Sequence, residues 1–504
     1  METQKYIAQN IGAQLVILEN AQVRVCTLDL RPEWMIGRVD PNSGRTPDIP
    51  FISRIVSREH GWLHCVEGQW YFVDNPKNLN GTYHNGRKIE RPLPGKKKNT
   101  PLESGDILRI DSDDLNRTNE NGVLMLFTTA STNGIWEAMQ LKTSGETLIG
   151  RDTACDIVEE LPYFSAKHAK ITWLNGRYYL SDCGSKAGTY VNGEQVVSTY
   201  MLKEKDCISI CDRSYFFTGN QLLYLKCNRE KAQEELRMTQ PDQRPVILKA
   251  NIQCKKVKNR SGFGMKELIR DINLEIREGT LVALLGTAGA GKSTVMNCMN
   301  GMDLKGVQGS VVYHNVDLMK HLTQMKYLIG NVPQDKIFHP ELTPEKEFYD
   351  AALLRLPGDM SKQEIQQRVD KTLEMLSMTK VRNNQNSMLS GGEKTRVNVG
   401  IELVADRDIL FLDEPDQGLS PNYKEELFLI LRDLAHVHGK SILSIIHDVS
   451  KIELFDQVIM LAKVDGVGRL AFSGTPEEAC AHFGVTTIAD AYALLDKCPE
   501  KYVR

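Results

Sequence analysis

The stretch Gly286–Thr294 reads GTAGAGKST and directly follows the apolar run Leu281–Leu285. It matches the pattern G-x-x-x-x-G-K-S/T at the junction of a predicted strand and a predicted helix. Glycines let the backbone curve around an anion without Cβ clashes, so that loop amides and the helix N-terminus face the anion. The stretch therefore predicts an α/β domain that binds a nucleotide through its phosphates.

The residues of this loop have distinct expected roles. Three of them form the phosphate cradle: Gly286, Gly289 and Gly291. We expect Lys292 to reach the β- and γ-phosphate oxygens and the Ser293 hydroxyl to ligate Mg²⁺, while Thr294 belongs to the same nucleotide-binding set.

A second apolar run, ILFLDEP at 409–415, ends in two adjacent carboxylates. We expect Asp413 to join the Mg²⁺ shell and Glu414 to polarise the attacking water as general base. Gln334, in IGNVPQD, lies at another strand end, where it is predicted to contact metal and water. His447 follows the apolar run SILSII and is predicted to hydrogen-bond the γ-phosphate. These residues predict a hydrolytic site.

A second anion-binding terminus is predicted at LSGGEKTRV, residues 389–397, where a helical pattern opens with Ser390, Gly391 and Gly392. One nucleotide cannot easily use two such termini from one chain. The motif therefore raises the question of a second protomer.

Together these motifs resemble, in type and in order, the ATPase domain of ABC transporters over residues 246–485. VPQDKIFHPELT and SGGEKTRVNVGIEL resemble the G subfamily and its bacterial relatives. The resemblance implies ATP and Mg²⁺ as cofactors. It also implies a head-to-tail homodimer, in which Ser390–Gly392 of one protomer closes on ATP held by Lys292 of the other.

Two positions depart from the family pattern. In DQGLSP, Ser420 stands where the family usually has Asp. The aromatic residue that stacks on adenine has one candidate, Phe263, and an ordinary loop phenylalanine is the alternative.

An internal repeat occupies the N-terminal half. IGR (36–38), SREH (57–60) and NGTYHNG (80–86) recur as IGR (149–151), SAKH (165–168) and AGTYVNG (187–193). Alternating apolar and polar residues with Asn-Gly turns predict two all-β sandwiches, which we place at residues 12–128 and 133–228.

The repeat resembles forkhead-associated (FHA) domains, β-sandwiches that bind phosphothreonine. The resemblance implies a phosphopeptide site in the first copy, formed by Arg38, Ser57, Arg58 and Asn80. His60 and Gly37 would be structural. Leu79 stands where Ser or Thr is usual, so one phosphate contact is expected to be lost.

The second copy is a degenerate version of the same site. Arg151 and Ser165 remain as candidate phosphopeptide-binding residues. Ala166 replaces a polar contact and Ala187 stands where asparagine is expected, while Lys186 supplies a compensating charge. A pair of spacer or interaction sandwiches is the alternative for both copies.

The predicted fold class is therefore multidomain: two FHA-type β-sandwiches followed by an α/β P-loop NTPase domain of the ABC type. The alternation of apolar strand-like runs with helical patterns predicts a largely parallel sheet in that domain. The polar, charged segment 229–245 is predicted to be a linker, and 486–504 a C-terminal tail.

A net charge of −3 gives no reason to expect a nucleic-acid partner, and the N-terminus has no apolar signal segment. No run reaches the roughly 18–20 apolar residues of a membrane-spanning helix. With these observations, the resemblance to ABC transporters implies a cytoplasmic protein, peripheral on the inner face of the plasma membrane through a separate transmembrane subunit, or else a soluble segment of a longer protein. The likeness to the G subfamily implies an exporter.

We also expect regulation through a phosphothreonine-containing protein and a Ser/Thr kinase. The alternative is a soluble phosphopeptide-binding signalling scaffold whose ABC-type ATPase switch is not coupled to transport.

Overall fold

Strands dominate the chain before residue 228, and strands alternate with helices after it. The structure is a computed structural model of the 504-residue chain. It describes residues 13–20, 22–29, 31–40, 46–66, 68–78, 80–84, 87–90, 99–102, 106–111, 122–128, 134–203, 206–227, 229–258, 264–314 and 316–503.

The chain divides into two compact units, each of which is discontinuous in sequence. The first comprises Met1–Leu141, Leu202–Ile208 and Ser214–Cys227, and the second comprises Lys142–Met201, Ser209–Arg213 and Asn228–Arg504. The first β domain lies wholly in the first unit, whereas the second β domain contributes residues to both.

The first β domain consists of strands β1–β11. Their bounds are Ala13–Glu19 (β1), Gln22–Leu28 (β2), Trp34–Arg38 (β3), Ile49–Phe51 (β4), Gly61–Val66 (β5), Gln69–Asp74 (β6), Gly81–His84 (β7), Arg87–Lys88 (β8), Asn99–Leu102 (β9), Ile107–Asp111 (β10) and Val123–Thr128 (β11). They form one sheet in the order β2-β1-β11-β10-β7-β8 and another in the order β4-β3-β5-β6-β9.

Alternation of side chains along the strands builds the core of this domain. Leu15 and Ile17 on β1, Ile36 on β3 and Phe72 on β6 are completely buried in one apolar cluster. Because successive side chains of a strand point to opposite faces, each sheet buries one face against the other.

The second β domain repeats this arrangement with strands β12–β22. Their bounds are Gly134–Gln140 (β12), Glu146–Gly150 (β13), Ile157–Val158 (β14), Ala169–Leu174 (β15), Arg177–Asp182 (β16), Tyr190–Val191 (β17), Glu194–Gln195 (β18), Thr199–Met201 (β19), Cys207–Ile210 (β20), Arg213–Phe217 (β21) and Gln221–Cys227 (β22). One sheet has the order β14-β13-β15-β16-β19. The register of β13 on β15 and β15 on β16 is antiparallel, as in the first copy.

The C-terminal domain alternates strands β23–β32 with helices. The strands are Val246–Lys258 (β23), Met265–Arg277 (β24), Leu281–Gly286 (β25), Val307–Tyr313 (β26), Val316–Asp317 (β27), Ile329–Val332 (β28), Ile409–Asp413 (β29), Ser441–Ile445 (β30), Gln457–Val464 (β31) and Val467–Gly474 (β32). The helices are Arg229–Met238 (α1), Lys292–Met299 (α2), Leu318–Met325 (α3), Pro344–Arg355 (α4), Lys362–Met375 (α5), Gly391–Leu403 (α6), Pro421–His436 (α7), Pro476–Phe483 (α8) and Ile488–Lys497 (α9). The predicted fold class is confirmed.

The sheet of this domain is mixed rather than largely parallel. Its order is β27-β26-β23-β24-β32-β31-β25-β30-β29-β28. The strands β31, β25, β30, β29 and β28 run parallel to one another, whereas β31 pairs antiparallel with β32 on its other side. The two 13-residue strands β23 and β24 pair antiparallel, because a short connection joins them and their alternating side chains bury one face.

Helices α4, α5 and α6 come after the glycine-rich loop and before β29 in the sequence. They contact one another and form a helical layer. Phe348 of α4 packs directly on Gly400 of α6, where an added Cβ would lie 2.2 Å from the ring. Arg355 at the end of α4 donates to Glu402 of α6 at 2.6 Å. The layer therefore couples α4 firmly to α6.

The segment predicted as a linker contains α1 and packs on the C-terminal domain. Leu236 is 8% exposed and Arg244 is 3% exposed. The guanidinium groups of Arg237 and Arg244 donate to the carbonyls of Val437 and Gly279 respectively. The segment predicted as a tail contains α9, in which Ala491 and Leu495 are fully buried.

None of the described helices combines the length and the apolar composition that crossing a lipid bilayer requires.

Candidate functional site

The glycine-rich loop links the buried strand β25 to helix α2. Gly289 and Gly291 have φ values of 72° and 89°, a region that favours glycine. At Gly286 an added Cβ would lie 2.7 Å from the carbonyl oxygen of Leu461, so a side chain does not fit there. Both constraints explain why the sequence needs glycine to form this turn.

Lys292, the first residue of α2, points back into its own loop. Its Nζ donates to the carbonyl of Gly286 at 2.9 Å. Burial lowers the pKa of this lysine, although the nearby carboxylates of Glu414 and Asp413 act in the opposite direction. A half-buried ammonium group at a helix N-terminus fits an anionic phosphate ligand.

Glu414 lies immediately beyond β29 with a backbone φ of 48°. Its amide donates to the carbonyl of Ile445, the last residue of β30, at 3.1 Å. Non-glycine residues seldom adopt this conformation, and a glutamate in it is unusual enough to suggest a local functional constraint. The turn directs the Glu414 side chain away from the strand direction.

Three polar side chains converge on the Glu414 carboxylate. Gln334 and Gln417 each donate from Nε2 to Oε2 at 3.1 Å. His447 Nε2 lies 2.7 Å from Oε1. The structure thus brings together Glu414, Gln334 and His447, three of the predicted site residues that lie far apart in sequence, and holds the carboxylate in one orientation.

Asp413 sits between this carboxylate and the phosphate loop. Burial and the adjacent Glu414 charge raise its pKa, while Lys292 and a hydrogen bond from Ser293 oppose that shift. Two neighbouring carboxylates beside a serine hydroxyl are an oxygen donor set that suits Mg²⁺. The residues present therefore fit a magnesium ion at this strand end.

Ser390 is the N-cap of α6. Its side chain accepts from the Glu393 amide at 3.3 Å, and the Glu393 carboxylate accepts from the Ser390 amide at 2.8 Å. This capping box fixes the first turn of the helix, which includes Gly391 and Gly392. Lys336 donates to the carbonyl of Gly391 at 3.2 Å and adds positive charge beside it.

Two residues of this region were missed from the sequence. Gln417 lies three residues beyond Glu414 in the same turn, and that spacing is the signal that points to it. The Tyr492 hydroxyl of α9 donates to the Gly286 carbonyl at 2.7 Å. No local pattern connects residues so distant in sequence.

The two departures from the family pattern have different outcomes. Ser420 is the N-cap of α7, and its side chain makes no capping hydrogen bond. Phe263 lies outside the described residues.

The candidate phosphopeptide site of the first β domain lies at the end of β3. The Arg38 amide donates to the carbonyl of Ser57 at 2.9 Å, and no described acidic side chain pairs with its guanidinium. Arg58 pairs with Asp40 at 2.7 Å, and Asn80 donates to the carbonyl of Ile55 at 2.8 Å. Arg38 is therefore a partly buried cation whose Nε has no hydrogen-bond partner among the described residues.

The buried His60 side chain stabilises this site through hydrogen bonds. Its Nδ1 accepts from the Ser57 amide at 3.1 Å, and its Nε2 lies 3.0 Å from the Thr82 hydroxyl. Burial lowers the pKa of His60 to about 4. At Gly37 an added Cβ would lie 2.0 Å from the Arg58 carbonyl oxygen, so the loops approach too closely for a side chain.

The second β domain has the same frame but a different environment around its arginine. His168 accepts from the Ser165 amide at 3.2 Å, and an added Cβ at Gly150 would lie 2.2 Å from the Ala166 carbonyl oxygen. The guanidinium of Arg151, however, forms ion pairs with Asp359 and Glu364. Its phosphopeptide-binding role stays a prediction.

Comparison with known families agrees with this geometry. The family model described as "ABC transporter" matches residues 269–417. The family model described as "FHA domain" matches residues 34–111 and again residues 147–211.

Similar curated proteins carry related names. The "ABC transporter ATP-binding/permease protein Rv1747" of Mycobacterium tuberculosis is 32% identical over 356 residues, which cover 71% of this chain and 39% of that protein. "Broad substrate specificity ATP-binding cassette transporter ABCG2" of Mus musculus is 33% identical over 241 residues, covering 45% of this chain and 35% of that protein. The chain thus spans about two fifths or less of the length of these relatives.

Among solved structures, an ATP binding subunit of an ABC transporter is 20% identical, with a TM-score of 0.41 over 50% of this chain and 99% of that chain. The family-model matches agree with the motifs and with the side chains that converge on Glu414. Together they show that the chain carries an ATP-binding domain of the ABC transporter family, preceded by two FHA domains.

Proposed function

We propose that this chain is the ATP-hydrolysing subunit of an ABC transporter. The observation that carries the proposal is the Glu414 carboxylate, which Gln334, Gln417 and His447 hold at the strand end next to the lysine-bearing phosphate loop. A fixed carboxylate beside a phosphate-binding loop is what hydrolysis of a triphosphate requires.

Each side chain has a separate part in the proposed reaction. Lys292 and the amides of its loop bind the terminal phosphates, and Lys292 exchanges its bond to the Gly286 carbonyl for one to phosphate. Glu414 accepts the proton of the attacking water. Gln334 and His447 orient Glu414 through its two oxygens, so neither needs to change protonation state itself.

Ser293, Gln334 and Asp413 would hold the Mg²⁺. The ion, when bound, neutralises phosphate charge. The raised pKa of Asp413, which burial and the Glu414 charge cause, supports this assignment because a cation would relieve both effects.

We further propose a head-to-tail homodimer. Ser390, Gly391 and Gly392 form the start of a capped helix, and the N-terminus of a helix is suited to binding an anion. In the dimer this terminus would face the nucleotide held by the partner protomer. Closure would accompany binding and opening would follow hydrolysis.

The membrane partner is proposed from relatives. Their names describe permease and transporter proteins, and these proteins are longer than this chain. We infer a transmembrane ABC subunit, an exporter function and a place on the inner face of the plasma membrane.

Phosphate release from Mg-ATP by the purified full chain tests the catalytic proposal. We expect Glu414→Gln to lower turnover by on the order of 10²–10⁴-fold, the usual contribution of a general base. The exposed Glu477 of α8 supplies the matched control, Glu477→Gln, which should keep wild-type turnover. Wild-type turnover in Glu414→Gln would remove the proposal and leave the ATP-switch scaffold as the better description.

We also propose that the first FHA domain binds phosphothreonine in a kinase-regulated partner. Arg38 supports it, since a guanidinium without a described acidic partner is suited to a charge-assisted phosphate contact. Calorimetry with a threonine-phosphorylated peptide library and its unphosphorylated counterpart tests it. We expect binding of the phosphorylated set alone, lost in Arg38→Ala and kept in the control Arg177→Ala. Equal binding of both sets would contradict it.

A further inference from the structure

The loops of the second FHA domain contact an acidic turn of the C-terminal domain, both within the second compact unit. We define the acidic turn as residues 354–364, which comprise the end of α4, the connection to α5 and the first residues of α5. Arg151 pairs with Glu364 and lies 3.5 Å from Asp359. The Ala166 amide donates to the same Asp359 carboxylate at 2.6 Å. One arginine and one loop amide thus share an acidic group, as they would share a phosphate.

A lysine of the same loop cluster completes the contact. Lys186 Nζ donates to the carbonyls of Leu354 and Leu356 at 2.5 and 2.8 Å. Burial lowers the pKa of Lys186. The Tyr327 hydroxyl donates back to the Lys186 carbonyl at 2.7 Å. Three loops of the domain therefore hold one turn of the ATPase domain.

The internal repeat shows what has changed between the two FHA domains. In the first copy Arg58 follows Ser57 and pairs with Asp40 of its own domain. In the second copy Ala166 takes the place of Arg58 and exposes its amide to Asp359. Alanine in place of arginine thus removes a cation from the phosphopeptide site, and at the same position a carboxylate binds the backbone amide.

The acidic turn is connected to helix α6. Arg355 within the turn pairs with Glu402 of α6, and Phe348 of α4 packs on Gly400 of α6. Helix α6 begins at Gly391, directly after its N-cap residue Ser390. A displacement of the acidic turn would therefore also displace α6, the helix whose N-terminus is proposed to face the partner's nucleotide.

We propose that the second FHA domain binds the acidic turn of its own ATPase domain in place of a phosphopeptide, with Asp359 and Glu364 in the role of the phosphate. The domain acts as an intramolecular clamp on α4 and α5 and so restrains α6. This assigns the two FHA domains to different ligands: a phosphorylated partner for the first, and this chain's own carboxylates for the second.

Amide hydrogen exchange of the full chain tests the clamp without any need for ATP hydrolysis. We expect the double variant Asp359→Asn/Glu364→Gln to raise the exchange rate at Ala166 by about tenfold or more, because both carboxylates that hold its loop lose their charge. Glu374→Gln, at an exposed position on the same helix α5, is the matched control and should leave Ala166 unchanged. Unchanged exchange at Ala166 in the double variant would overturn the proposal.

A charge exchange separates the clamp from a general loss of stability. Arg151→Glu alone should raise exchange at Ala166, and Arg151→Glu combined with Glu364→Arg should restore at least half of the lost protection. The amides of β25, outside the clamp, report global unfolding and should stay protected in every variant. Exchange that rises equally at β25 and Ala166 would also overturn the proposal, since the contact would then only support the fold.

Discussion

Glu414 shows how one backbone angle positions a candidate catalytic side chain. Its φ of 48° turns the side chain out of the β29 direction and toward Gln334 and His447. That strain is tolerated because the amide still has a partner in the Ile445 carbonyl. Sequence reasoning identified all three side chains from their strand-end positions, whereas the angle that joins them leaves no mark in the sequence.

Tyr492 offers a prediction at the same scale. Its hydroxyl is a donor to the Gly286 carbonyl at the start of the phosphate loop. Tyr492→Phe should cost about 1 kcal/mol of unfolding free energy, the usual net value of one hydrogen bond, and should weaken Mg-ATP binding. Urea unfolding and nucleotide titration measure the two effects. Unchanged values in both would show that the loop holds its shape without α9.

His60 predicts a pH effect on stability. Burial lowers its pKa to about 4 in the fold, from 6.5 when exposed. The unfolded chain therefore binds a proton first as pH falls, and stability present above pH 6.5 is lost down to about pH 4. The loss amounts to about 3 kcal/mol. Urea unfolding of wild type and His60→Gln should diverge over this window, and parallel curves would contradict the prediction.

At the scale of elements, α4 and α6 pack closely where the Phe348 ring lies against Gly400. Gly400→Ala would put a Cβ 2.2 Å from the Phe348 ring and 2.9 Å from Leu376. We expect a loss of about 1–3 kcal/mol from overpacking. Gly358→Ala is the control, because a Cβ there meets no atom within 4 Å. Thermal unfolding should separate the two variants; equal midpoints would mean that the helices shift freely.

The elements that could be predicted from sequence are those with a local signal. The glycine-rich loop between a strand and a helix is one, and the Asn-Gly turns of the sandwiches are another. The packing of α1 could not be predicted, because Leu236 is a single buried apolar residue in a charged helix and Arg244 is buried through carbonyls distant in sequence. The antiparallel part of the sheet was not predicted, because the alternation of buried and exposed residues in β23 and β24 becomes clear only over the full length of these strands.

The candidate sites divide in the same way. Lys292, Asp413 and Glu414 stand out because their motifs are contiguous, and their roles stay predictions. Arg151 also stood out, but its partners Asp359 and Glu364 lie some two hundred residues away in a turn with no motif of its own. Long-range pairing of polar side chains has no periodicity that sequence reasoning can use.

At the scale of the whole molecule, the proposed homodimer predicts a nucleotide-dependent mass. Glu414→Gln should bind Mg-ATP without turnover and accumulate as a dimer, whereas the nucleotide-free chain stays monomeric. Mass photometry with and without Mg-ATP measures this. Adding Ser390→Arg should block the dimer by placing bulk at the helix N-terminus. A dimer that ignores both nucleotide and Ser390→Arg would place the subunit contact elsewhere.

The ion pairs of Arg151 with Asp359 and Glu364 affect how well a free phosphopeptide can compete for the second FHA domain. A ligand tethered to its own receptor is present at an effective concentration of the order of millimolar. A free phosphopeptide of micromolar affinity, present at micromolar levels, would therefore rarely displace the acidic residues from Arg151. Screening libraries against the intact chain would accordingly find ligands of the first FHA domain and overlook any latent affinity in the second.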